Sequence, residues 1–129
     1  MKYKYIYEVS LSFDDAQSGG WGFRDYVSGE VETEYVDHNT FRGILADRVV
    51  NLTINTLSKD SQVEFKAIVD NSGMSAREYI LENGHFNYIF VQEDNPETLK
   101  ELEDYYLHHG GIDSLVQYLE DKYVDEEVQ

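Results

Sequence analysis

Tyr3, Tyr5, Tyr7, Val9, Leu11 and Phe13 stand at every second position of the segment KYKYIYEVSLSF, with Lys2, Lys4, Ile6, Glu8, Ser10 and Ser12 between them. Successive side chains of a strand point to opposite faces. A period of two therefore commits the amino end to a half-buried β-strand, and the rest of the chain to building a sheet around it. The next segment, FRDYV, predicts a second strand, Ser28-Gly29 a turn, and EVETEYV a third strand with Val31, Thr33 and Tyr35 on one face. Glu30, Glu32 and Glu34 take the other face, near Lys2 or Lys4.

Between Asn39 and Leu57 a single helix would place Phe41, Ile44, Leu45, Val49 and Leu52 on one side and Val50, Ile54 and Leu57 opposite. A helix apolar on two sides must be sandwiched or dimerised. The competing reading is a short helix followed by a hairpin pairing Val50 with Val69, Leu52 with Ala67 and Ile54 with Phe65, which the poor helix formers of VVNLTINT favour. The single helix is preferred.

Val63, Phe65, Ala67 and Val69 alternate as a fourth strand. MSAREYILENG is a helix with a Ser75–Glu78 capping box, a Met74–Tyr79 staple and a Gly84 stop. HFNYIFVQ is apolar on both faces, as a central strand would be. Asn95-Pro96 opens a helix that Gly110 closes. Asp113 caps a last one with Ile112, Leu115, Val116, Leu119 and Tyr123 on one side. Residues 125–129 are expected to fray. The fold class expected is α+β, one domain over residues 1–129, with a five-stranded mixed sheet in the order βββαβαβα and an added carboxyl-terminal helix.

Charge is the strongest global signal. The 129 residues carry a formal charge of −16. Residues 93–129 hold twelve acids and two bases, so ten of the sixteen net charges fall on less than a third of the chain. If that part exposes about 2,000 Å², its charges lie about 200 Å² apart, within a factor of about two of duplex DNA. Nucleic acid would be repelled and a basic protein groove attracted. The absence of cysteine excludes disulfides, thiolate metal sites and cysteine nucleophiles, and it suits a cytoplasmic setting. The amino end lacks the continuous apolar core of a signal peptide, and no segment has the apolar length of a membrane span.

Several stretches resemble the ribonuclease H-like superfamily in their order along the chain: GGWG at 19–22, NTFRGILADRVVNL, AIVDNS at 67–72, and YIFVQEDNPETLKELEDYYL. The resemblance implies a sheet carrying carboxylates that converge on divalent ions. Matched residue by residue, Asp70 stands where the family has an acid. On the first strand only Glu8 adjoins the expected position, the glutamate of the long helix falls on Gly43, and the last acid would be Glu97 or Glu101. What the resemblance implies is a nuclease-like scaffold with a degraded centre.

GGWG lacks the lysine and helix start of a phosphate loop, and Asp14-Asp15 would repel the ligand. Trp21 either packs on the sheet or anchors a partner. On the helix from Pro96 to His109, Leu99, Leu102 and Tyr106 form the buried stripe, and Glu97, Glu101, Asp104 and His108 lie opposite. A metal site from Asp104, His108 and His109 is disfavoured because adjacent helical histidines point apart. No nucleophile–base arrangement can be read; Ser10, His38 and His85 read as ordinary residues.

These readings converge on a non-catalytic acidic binding protein, an inhibitor or nucleic-acid-mimic decoy of a basic, nucleic-acid-handling protein. Small counter-defence proteins of phages and mobile elements resemble it in charge and size. The expected partner-binding residues are Glu97, Glu101, Asp104, Tyr105, His108, Tyr118, Asp121 and Trp21, with no metal, no cofactor, no direct nucleic acid and no membrane. Two alternatives stand beside this reading. One is a divalent-metal nuclease using Glu8, Asp70 and Glu97 or Glu101; the other is an oligomerising module, a homodimer through Val50, Ile54 and Leu57.

Overall fold

The computed structural model describes residues 1–13 and 20–127, with side chains up to residue 122. Asp14-Asp15, Ser18-Gly19, the side chain of Tyr123 and residues 128–129 lie outside the described residues, and with them the expected repulsion at the glycine loop. The elements run β1 (Lys2–Phe13), β2 (Trp21–Glu32), α1 (His38–Arg48), α2 (Lys59–Ser72), α3 (Ala76–Asn83), β3 (His85–Gln92), α4 (Leu99–His108) and α5 (Ile112–Glu127). A π turn, Val49–Thr53, and a 3-10 turn, Ile54–Thr56, continue α1. The fold is α+β with a three-stranded antiparallel sheet in the order β2-β1-β3.

The five-stranded mixed sheet and its ribonuclease H-like order are thereby overturned, for two local reasons. Ser28-Gly29 is no turn but the middle of β2. Gly29 is there because the Tyr5 ring crosses it: a Cβ would meet the phenol oxygen at 3.3 Å. The expected fourth strand is helix α2. Its alternating residues divide at helical spacing instead, with Phe65 and Val69 buried and Val63 70% exposed. Ser58 caps its start by accepting from the Ser61 amide at 3.2 Å, and Gly73, at φ 75°, ends it in the left-handed region. Nor is β3 central: it lies at the end of the strand order.

Of the other expectations, some hold and some shift. Residues 38–56 are helical throughout, so the hairpin alternative fails. At α3 the Ser75 hydroxyl accepts from the Glu78 amide at 3.1 Å and donates to the Glu78 carboxylate at 3.2 Å, and Gly84 follows the helix. Helix α4 begins later than Pro96, at Leu99, because Thr98 forms the capping box with Glu101. Helix α5 begins at Ile112 directly after Gly110 and Gly111, both at positive φ. Asp113 is thus in its first turn rather than its cap, and the helix continues through 125–127, where fraying was expected.

The chain divides into two compact units. The first comprises Met1–Tyr7, Val27–Tyr35 and Asn87–Gln129; the second, Glu8–Tyr26 and Val36–Phe86. In the second unit Phe13 stacks on Trp21 at 4.4 Å and meets Phe65 edge-on at 5.9 Å, and Tyr79 joins both. Val50 and Ile54, two of the three residues of the second apolar stripe on which the dimer reading rests, line a depression with Phe65 and Val69 of α2. In the first unit Leu102, Tyr106, Ile112 and Leu115 are buried between α4 and α5, and Tyr7 stacks on Tyr88 at 5.1 Å. Among the described residues no helix is long and apolar enough to cross a membrane.

Candidate functional site: the acidic face of α4 and α5

Thr98 fixes where α4 starts, and therefore which way each side chain of ETLKELEDYYLHH points. Leu102 and Tyr106 turn inward, while Glu101, Asp104 and His108 remain exposed. Tyr105, at the boundary, stacks on Tyr118 of α5 at 4.3 Å and on His109 at 4.3 Å. Three rings in sequence, His109, Tyr105 and Tyr118, thus make the wall of a depression of about 290 Å³. Glu97, Glu101, Leu102, Asp104 and His108 complete its lining.

Six of the eight expected partner-binding residues, Glu97, Glu101, Asp104, Tyr105, His108 and Tyr118, line this one depression. Glu97 differs from the rest. It is 4% exposed, and its carboxylate accepts from Lys122 Nζ at 2.5 Å and from the Tyr118 hydroxyl at 3.1 Å. The Glu97 carboxylate holds the Lys122 ammonium proton more tightly than water would, raising the lysine's pKa above its ordinary value. Beneath it, buried Lys4 donates to the carbonyl oxygens of Asn95, at 2.8 Å, and of Glu97. Lys4 was expected on a solvated strand face; the turn at 95–97 supplies the acceptors that let it be buried. Glu97 is therefore a structural strut under the site, and the carboxylates presented outward are Glu101 and Asp104.

Asp121, on α5, is exposed and accepts from Gln117 at 2.9 Å. Trp21 belongs to the second unit, half-buried on Phe13, with its indole N–H donating to Glu64 at 2.9 Å. It is occupied in packing. The sequence reading missed Lys122 and the stacking of His109, although both follow a tyrosine by four residues, at Tyr118 and Tyr105, the spacing that brings side chains together on a helix.

Glu8 is buried on β1 with Arg24 at 3.7 Å, and Asp70 is exposed on helix α2 rather than at a strand end. Among the described residues no three of His, Asp or Glu gather as metal ligands. The α4–α5 face offers carboxylate acceptors beside ring faces, which suits ammonium and guanidinium groups. No protein-family model matches the chain, and no curated protein or solved structure is significantly similar to it.

Proposed function

We propose that this chain is a non-catalytic binding protein that sets the acidic α4–α5 face against a basic surface of a nucleic-acid-handling protein, as an inhibitor or decoy. The observation that carries the reading is the exposed pair Glu101 and Asp104 lining a ring-walled depression, with Asp121 exposed on α5, in a unit where fifteen acids face four lysines. Of those lysines, Lys4 is buried on carbonyls, and Lys122, itself exposed, is paired with the buried Glu97 carboxylate. Averaged over 8282 Å², the whole surface carries one net charge per about 520 Å², far sparser than DNA at about 100 Å². Mimicry therefore rests on this one face. A cytoplasmic location, with its basic nucleic-acid-binding proteins, fits the reading.

The test is a titration of the protein into a lysine- and arginine-rich DNA-binding domain, followed by anisotropy, with duplex DNA as competitor. Glu101→Lys with Asp104→Lys and Asp121→Lys should weaken binding at least tenfold, and DNA should displace the wild type. Equal affinity of wild type and triple variant would refute the reading.

A further inference from the structure

A second concave surface lies on α5, between that helix and β3. It encloses about 490 Å³, and its walls include Ile89, Val91, Val116 and Leu119, with the exposed carboxylates of Asp94 and Glu120 at its margin. The volume falls within the range of about 300–1,000 Å³ typical of ligand clefts. Ile89, Val116 and Leu119 are only partly covered, so apolar surface here remains in water. Among the described residues, no basic one lines the groove.

We propose that this groove takes a short peptide segment of the partner in which an aliphatic side chain is flanked by lysine or arginine. The inference rests on the reading of the chain as an acidic docking protein and names a second, apolar requirement for its partner. The aliphatic side chain covers Ile89, Val116 and Leu119, and the flanking cations reach Asp94 and Glu120. Charge selects this occupant over a second copy of the chain. A copy would bring its own −16 to a margin that is already acidic, whereas a basic segment gains from it. Acidic residues around an apolar floor also discriminate, since an uncharged apolar peptide would bury the floor but gain nothing from the carboxylates, which stay in water.

The experiment uses the full chain and three fluorescein-labelled peptides: one basic with a central leucine–valine pair, one with that pair changed to serine, and one apolar and uncharged. Anisotropy should show the first binding at least tenfold more tightly than either of the others. Glu120→Lys, at an exposed position, should weaken it at least fivefold. Leu119→Ser should weaken it similarly and, unlike loss of a purely ionic contact, the loss should persist in 0.5 M NaCl. Circular dichroism of each variant guards against misfolding, and the serine peptide gives the same information without altering the protein.

Equal affinity for the leucine–valine and serine peptides overturns the groove. So does binding that Glu101→Lys with Asp104→Lys abolishes while Leu119→Ser leaves it intact; the α4–α5 reading would survive that result. Loss with the groove variants alone supports the groove and counts against the α4–α5 face. Sedimentation showing a dimer that Leu119→Ser dissolves would overturn the proposal in favour of a second copy.

Discussion

The two compact units handle positive charge in opposite ways. All four arginines belong to the second unit, and three of them neutralise acids there: Arg24 beside Glu8, Arg48 on both oxygens of Asp25, and Arg77 on Asp47 at 2.8 Å. Arg42 lies over the Phe86 ring. The first unit has no arginine, and two of its four lysines are spent on internal acceptors. Its formal charge is −11, fifteen acids against four lysines, leaving −5 of the total for the second unit. The lesson is that composition understates the contrast. Lys4 is drawn inside onto carbonyls, whereas Lys122 stays exposed with its ammonium tied to the buried Glu97 carboxylate, so one lysine is lost to the surface and a second is committed to an internal acid.

The interiors differ as well, and the most severe substitutions probe that. Phe65, 4% exposed among Phe13, Phe23 and Tyr79, anchors the second unit. Phe65→Ala should cost about 3–5 kcal/mol in urea unfolding, by cavity and lost transfer energy. Lys4→Met keeps the volume but leaves the carbonyls of Asn95 and Glu97 without their shared buried donor, so about 2–3 kcal/mol should be lost. If Lys4→Met proves neutral, the first unit does not depend on its buried ammonium, and the contrast in how the two units use positive charge collapses.

Surface reversals sharpen the comparison at smaller magnitude. Asp104→Lys, in the uncompensated unit, should raise stability by up to about 0.5 kcal/mol at low salt, because it relieves like-charge repulsion. Asp47→Lys should lower stability by a similar amount, since it turns a pair with Arg77 into a repulsion. Both groups are exposed, so 1 M NaCl should shrink both effects. Two reversals of the same sign would end the distinction.

The smallest effect is one of pH. Chiefly through the Thr40 hydroxyl, which donates to it at 2.9 Å, Asp37 at the start of α1 is held below its ordinary value of 3.8. Its contribution is therefore present above 3.8 and is lost as pH falls through the depressed value. Asp37→Asn still accepts the Asn39 amide but carries no proton-linked charge, so its urea midpoint should fall slightly less between pH 5 and pH 3. An identical acid limb in both proteins would remove this contribution.

Local grammar was legible in the sequence where one residue decides one hydrogen bond. The Ser75 box of α3 is such a case; the period of β1 predicts the strand but not its burial, since Lys4, Ile6 and Glu8 on the face expected in water are buried too. Errors arose where the deciding contact is distant. Nothing adjacent to Ser28-Gly29 says that Tyr5 will lie across it, and a short alternating run in α2 satisfies the strand pattern as readily as the helical one that its packing selects. The same holds at the site. Helical spacing placed Glu101, Asp104 and His108 on one exposed side, but Glu97 precedes the helix, and only the approach of Lys122 and Tyr118 from α5 draws it inside.

The placement of Trp21 gives the molecule its own pair of optical labels. Its indole, the chain's single one, lies in the second unit against Phe13, whereas nine of the eleven tyrosines belong to the first. Tryptophan emission and tyrosine near-ultraviolet dichroism therefore follow the two units separately without any dye. Coincident midpoints would mean that both melt as one cooperative body, and a gap between them would measure how loosely the halves are thermodynamically joined.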